Sequence, residues 1–217
     1  MKYYSTNNTH LRTSFEEAVF GSLPADGGLY MPIEIPRMDP LFLRNLPALS
    51  LPEIAVAIAR PFIGDSLPKD VLQRIAAEAF DFPAPVRPLD QGLAVLELFH
   101  GPSLAFKDFG ARFMSRVLGH FSQQRGGILD VLVATSGDTG GAVALGFSGV
   151  EGTRVTILYP KGKVSPIQEL QLTTNGHNVR AIQIDGTFDD CQTLVKQAFL
   201  DPALNRQLQM KIGRAHV

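Results

Sequence analysis

Between about residues 90 and 200, short apolar runs alternate with stretches of helix length. Leu129–Ala134 is nearly all apolar, the pattern of a strand buried on both faces of a parallel sheet. Residues 154–159 and Val179–Ile184 read as further strands, and 93–99 reads as an earlier strand. Helices are expected at 107–124, 139–148, 165–174 and 188–199. This alternation argues for an α/β fold with a parallel sheet, because parallel strands need a crossover and a helix supplies it. On such a sheet, ligands sit outside the carboxyl ends of the strands.

Residues 1–88 follow a different pattern, rich in proline and short helical stretches. Ser14 followed by Glu17 has the spacing of a capping box. Pro52 suits the first turn of a helix over 51–62, since its fixed φ is pre-set for that position. Another helix is expected from Pro68-Lys69-Asp70 to about Phe80. Pro83-Ala84-Pro85-Val86-Arg87-Pro88 blocks any helix and reads as a linker or the entry to a new sheet. The expected organisation is therefore an amino-terminal domain over 1–88 and a sheet domain over 89–211.

Composition excludes several function classes. The 217 residues are 45% hydrophobic and 19% charged, an ordinary globular balance. Twenty basic and 21 acidic residues give a net charge of -1, so no nucleic-acid footprint is expected. No apolar run approaches the ~20 residues of a membrane helix. The first ten residues are polar, without a secretory apolar segment. Cys191 is the single cysteine, and no Cys/His cluster suggests a metal site. A soluble, cytoplasmic protein is expected, with oligomeric state left open.

Two motifs carry chemistry. The first is His100-Gly101-Pro102-Ser103-Leu104-Ala105-Phe106-Lys107-Asp108-Phe109-Gly110, between a strand and a helix. A lysine there is disfavoured as a cation by the helix N-terminus, and partial burial frees its amine as a nucleophile or base. The local pattern alone equally describes a solvated lysine in a first helical turn. The second is Thr135-Ser136-Gly137-Asp138-Thr139-Gly140-Gly141, where small residues let backbone approach an anion at a helix start. It equally describes a glycine-rich turn capped by Asp138 or Thr139.

With its flanks, the chain resembles the threonine synthases of the long bacterial and fungal type. The resemblance is carried by Tyr3-Tyr4-Ser5-Thr6, Gly27-Gly28-Leu29-Tyr30-Met31-Pro32, Phe99-His100-Gly101-Pro102-Ser103-Leu104-Ala105-Phe106-Lys107-Asp108-Phe109, Ala134-Thr135-Ser136-Gly137-Asp138-Thr139-Gly140 and Tyr159-Pro160-Lys161-Gly162-Lys163-Val164-Ser165. The phrase around Lys107 is close to diagnostic. The resemblance implies a fold type II pyridoxal-phosphate enzyme, with parallel-sheet architecture preceded by a mostly helical amino-terminal region. It implies conversion of the small molecule O-phosphohomoserine, with water, into threonine and phosphate. Lys107 matches the family's catalytic Schiff-base lysine. Thr135, Ser136, Gly137, Asp138 and Thr139 match the loop that holds the substrate carboxylate, with Asp138 also facing the cofactor's ring oxygen. Many relatives carry Asn there; a carboxylate beside a phenolate repels it unless one is protonated, which leaves the role of Asp138 open.

Other residues have simpler readings. Lys161 and Lys163 are expected as solvated turn residues, with attraction of a phosphate as the alternative. His100 shapes its turn or joins the site, His177 lies in an exposed turn, and Cys191 packs in the core. The Asp26-Gly27-Gly28 stretch reads as a turn. The family's chains are longer, and the glycine loop for the cofactor phosphate is expected downstream. Residues 212–217 leave the family pattern and read as a translated sequencing adapter, an expected artefactual tail. An incomplete parallel sheet would expose an edge and apolar faces, so the chain as written is expected to be poorly stable and inactive. Two alternatives stand beside this reading: another fold type II enzyme such as a threonine dehydratase, and a non-catalytic synthase-like protein that binds a phosphoryl ligand. The amino-terminal stretches argue against the first and the retained Lys107 against the second.

Overall fold

The structure is a computed structural model that describes residues 1–207 and 209–212. The chain forms two compact units, one of Met1–Asp81 and one beginning at Phe82.

The first unit contains a small antiparallel sheet that the sequence pattern does not predict. Strands β1 (Tyr3–Ser5), β2 (Asn8–Thr13) and β3 (Tyr30–Pro32) pair in the order β2-β1-β3. These strands are short, and β2 is polar and largely exposed, so no apolar alternation betrays it. The pairing Tyr3↔Pro32, Tyr4↔Met31, Ser5↔Tyr30 makes neighbours of the first two stretches that carry the resemblance. The Asp26-Gly27-Gly28 turn is fastened to β1: Asp26 Oδ1 accepts from Ser5 Oγ (2.7 Å) and Gly28 N–H (2.9 Å), and a Cβ on Gly28 would collide with Ser5 Oγ.

Helices α1 (Phe15–Gly21), α2 (Pro40–Asn45), α3 (Leu51–Ile63) and α4 (Lys69–Ala79) complete this unit. The capping box forms at Ser14 and Glu17, and a second one, Ser50 with Glu53, starts α3. Helix α4 buries Val71, Leu72, Ile75, Ala76 and Ala79, one stripe at helical spacing.

In the second unit, β4 (Val86–Asp90) and β5 (Leu93–Leu96) form an antiparallel hairpin. The strand expected over 93–99 thus ends at Leu96 and lies outside the parallel sheet. Its connection to β4 is too short for a crossover, and Gly92 takes the positive φ (76°) that the tight turn needs. Pro88 is tolerated because a two-stranded ribbon has only edge strands.

The rest alternates as expected: α5 (Lys107–Arg125), β6 (Leu129–Ala134), α6 (Asp138–Phe147), β7 (Thr153–Pro160), α7 (Pro166–Thr173), β8 (Val179–Ile184), α8 (Phe188–Leu200), α9 (Pro202–Gln207) and β9 (Gln209–Ile212). The sheet is parallel, with order β8-β7-β6-β9. Helix α5 buries Asp108, Ala111, Ser115, Leu118 and Ser122 along one face, and α6 is buried over most of its length. Against the sheet, Cys191 and Val195 of α8 pack with Ala134 and Leu158. Phe121 and Phe147 are fully buried, which stabilises the unit by roughly 2–3 kcal/mol each relative to exposure.

The chain steps from β6 to β7 to β8 in one direction, then returns to place β9 on the other side of β6. Strand order therefore reverses at β6, and crevices for ligands open at the carboxyl ends of strands at such a reversal. The expected tail over 212–217 lies, apart from Ile212, outside the described residues.

Candidate active site

The turn that leaves β6 stands at this reversal. Thr135 is buried, and its hydroxyl accepts from the N–H groups of Gly137 (3.0 Å) and Gly140 (2.8 Å). It also donates to the Gly137 carbonyl at 3.3 Å. The side chain is fully engaged in shaping the turn. Gly137 has φ 141°, which an L side chain rarely adopts, and a Cβ there would meet the Gln168 amide. A Cβ on Gly140 would meet Thr135 and Leu172. These glycines are required by close approach, as well as by the turn.

The turn opens α6 with Ser136 and Asp138 exposed and Thr139 half-buried. The amides of Ser136, Asp138 and Thr139 have no hydrogen-bond acceptor among the described residues. Unpaired first-turn amides and the positive end of the helix dipole can receive a small anion. The Asp138 carboxylate is favoured at the same helix start. Its Oδ1 accepts from Gln168 Nε2 at 2.7 Å.

Lys107 opens α5, and three residues separate the end of α5 from the start of β6. The helix therefore starts on the side of the sheet's carboxyl edge, where the turn after β6 also lies. Lys107 is half-buried, with its Nζ 4.7 Å from the centroid of the Phe106 ring. The segment before it is tightly wound: Leu104 N–H donates to the Gly101 carbonyl (3.0 Å), and Leu104 takes a positive φ of 61°. A non-glycine residue in that region is held by its surroundings.

The main restraint is Asp108, which is fully buried. Its Oδ2 accepts from Ser103 N–H at 2.9 Å, and Gly101 packs so closely that a Cβ would strike the carboxylate. The sequence reading passes over Asp108 because an acidic residue in a first helical turn is ordinary. Its one visible signal is its position directly after Lys107. Gln168 and Gln171 were also passed over. The Ser165-to-Gln168 spacing is a capping-box signature and was the available sign for the first. Gln171 donates to the Ser103 carbonyl at 3.2 Å, which no local pattern announces.

The remaining predicted residues divide plainly. His100 shares a hydrogen bond with Glu97 (2.7 Å), which also pairs with Arg87 at 3.5 Å, so it braces the hairpin's exit. Lys161 and Lys163 are exposed, on a turn whose Gly162 has φ 64°. His177 is exposed in a turn, with φ 53°. Cys191 is fully buried, and burial raises its thiol pKa. Among the described residues no three His, Cys, Asp or Glu side chains converge on a metal position. None of the described helices is long and apolar enough to cross a membrane.

An α/β domain with a lysine at a helix start and a turn of unpaired amides at a strand-order reversal has the layout of a small-molecule enzyme site. The chain belongs to the pyridoxal-phosphate-dependent enzyme family, whose model matches residues 82–206. Residues 2–80 match the model described as threonine synthase N terminus. The threonine synthase of Escherichia coli (strain K12) is 43% identical over 204 residues, covering 94% of this chain and 47% of that protein. The crystal structure of pyridoxal-phosphate-bound threonine synthase from Brucella melitensis aligns with TM-score 0.94 and 40% identity, over 99% of this chain and 48% of the other. The threonine synthase of yeast aligns with TM-score 0.91 and 35% identity, over 99% of this chain and 46% of the other. The chain spans about half the length of the relatives it matches.

Proposed function

We propose that this chain is the amino-terminal part of a threonine synthase. The complete protein would convert O-phosphohomoserine and water into threonine and phosphate, with pyridoxal 5'-phosphate as cofactor. The observation that carries this reading is Lys107 at the head of α5, on the same edge of the sheet as the turn of unpaired amides after β6, within a chain that matches both family models in order. The reading assigns 1–88 to the amino-terminal region and 89–211 to part of the cofactor-binding domain. It places the protein in the cytoplasm, acting on a small molecule.

The residues present fit the reacting end of the cofactor and the substrate carboxylate. Lys107 supplies the amine that an aldehyde needs. The amides after β6 suit a carboxylate, and the missing Cβ at Gly137 and Gly140 lets Gln168, Thr135 and Leu172 pack against the turn and hold its shape. When bound, the cofactor supplies an electron sink for reactions at carbons next to its aldehyde.

This chain's residues do the remaining work. Lys107 would hold the cofactor through its amine, and that amine would move protons at the substrate's Cα and Cβ. The amides of Ser136, Asp138 and Thr139 and the hydroxyls of Ser136 and Thr139 receive the substrate carboxylate, while Gly137 and Thr135 keep the turn in shape. Asp138 would face the cofactor's ring oxygen. The residues for the cofactor phosphate and the substrate phosphate are not among the motifs of this chain, so the 217-residue chain alone is proposed to be inactive.

Borohydride reduction of the full-length protein with pyridoxal 5'-phosphate, followed by peptide mapping, should place the label on Lys107. A folded full-length protein without that label would overturn the assignment. Phosphate release from O-phosphohomoserine by the purified 217-residue chain would overturn the claim of inactivity.

A further inference from the structure

Helix α7 carries two glutamines three residues apart, a spacing that puts them on one face. Each is tied to a different arm of the site. Gln168 uses both ends of its amide: Oε1 accepts from Ser165 N–H (2.9 Å), closing the α7 capping box, and Nε2 donates to Asp138 Oδ1 (2.7 Å). Its side chain also fills the space beside Gly137 that a Cβ would need. Gln171 donates from Nε2 to the Ser103 carbonyl (3.2 Å) and lies 3.0 Å from where a Cβ on Gly141 would stand. The Ser103 N–H is in turn held by Asp108, the residue after Lys107.

The choice of glutamine at 168 is informative. A capping box accepts glutamate as readily as glutamine at its third helical position. Glutamate would therefore satisfy Ser165 and the helix. It would also set a second carboxylate against Asp138, where only a donor fits. The helix does not require an amide at this position; Asp138 does. At 171 the requirement is again a donor, because its partner is a carbonyl.

We propose that Gln168 and Gln171 are a positioning pair for the reaction. Gln168 fixes the Asp138 turn and Gln171 fixes the segment that leads into Lys107, so that α7 sets the spacing between the amine and the anion receptor. This rests on the reading of Lys107 and the turn given above. Neither glutamine touches the reacting atoms in this assignment; each acts through the residue it holds.

The test uses hydrogen exchange, read by mass spectrometry on peptides spanning 101–107 and 135–141, with the urea midpoint followed in parallel. Gln168→Glu keeps the helix cap but loses the hydrogen bond to Asp138, so the urea midpoint should fall modestly. It should speed exchange over 135–141 about tenfold or more, as expected for losing a hydrogen bond to a charged group, and leave 101–107 as in the parent. Gln171→Met should do the reverse and lower the yield of borohydride-fixed cofactor on Lys107 in the full-length protein. Pairing Gln168→Glu with Asp138→Asn restores the donor and acceptor in exchanged positions, and should return 135–141 to parental exchange. The proposal is overturned if both single variants loosen both segments alike, if neither changes exchange, or if the double variant fails to restore it. An unlabelled Lys107 in the parent protein, with the exchange pattern as expected, overturns the functional reading and leaves the grip of α7 on the two arms standing.

Discussion

Replacing Thr135 by valine keeps the shape of the side chain and removes its hydroxyl. Thr135 is 1% exposed, and its oxygen accepts from two buried amides, those of Gly137 and Gly140. Valine can accept from neither. A buried donor left without a partner costs about 1–3 kcal/mol. Two of them sum to roughly 2–6 kcal/mol, and water entering beside exposed Ser136 offsets part of this, so a loss of about 2–4 kcal/mol is expected. Thr135→Ser retains the hydroxyl and removes one methyl group, so it should cost only about 1 kcal/mol. Urea denaturation followed by far-ultraviolet circular dichroism would measure both. The reasoning predicts an order, parent above serine above valine, with valine well separated. A valine variant within about 0.5 kcal/mol of the parent, the size of an ordinary surface substitution, would refute the view that this hydroxyl holds the turn.

Gly101→Ala sets a methyl group against the buried Asp108 carboxylate, and overpacking of this kind costs about 1–3 kcal/mol; a urea midpoint equal to the parent's would show that the segment can give way. Phe147→Ala, at a fully buried position on α6, should lose about 3–5 kcal/mol in the same assay. Glu17 is held from its ordinary 4.5 down to about 2, chiefly by the Ser14 backbone N–H and then by the Thr13 and Ser14 hydroxyls. A depressed folded pKa gives stability that is present above the unfolded value and lost as pH falls through the folded one. The parent should therefore lose stability relative to Glu17→Gln between pH 4.5 and about 2. Melting curves across that range that stay parallel for the two proteins would contradict the assignment.

Much of the second unit was legible in the sequence. The runs Leu129–Ala134 and Val179–Ile184 have the same bounds in the structure; the first is apolar but for Asp130, as suits a central parallel strand, and the second is an edge strand in which Arg180 and Gln183 stand exposed. The Ser14–Glu17 box was legible because both partners lie within one helical turn. The sheet of the first unit was not, since β1 and β3 are three residues each and β2 is polar. The sequence pattern does not separate the hairpin strand β5 from the parallel sheet, because four apolar residues look alike in parallel and antiparallel surroundings.

The site divides in the same way. Lys107 and the turn 135–141 stand out locally, as a lysine and a small-residue cluster at strand-to-helix junctions. Asp108 became visible only when its partner did: Ser103 lies five residues back, across a wound segment that no periodicity describes. Gln171 reaches Ser103 from 68 residues away. The sequence alone determined the alternation of elements, the caps and the candidate reactive side chains, because each depends on neighbours within a few residues. Only the tertiary structure decided that strand order reverses at β6 and that α7 holds both arms of the site. Those are set by which distant surfaces bury one another, and chain-distant hydrogen bonds leave no period in the sequence.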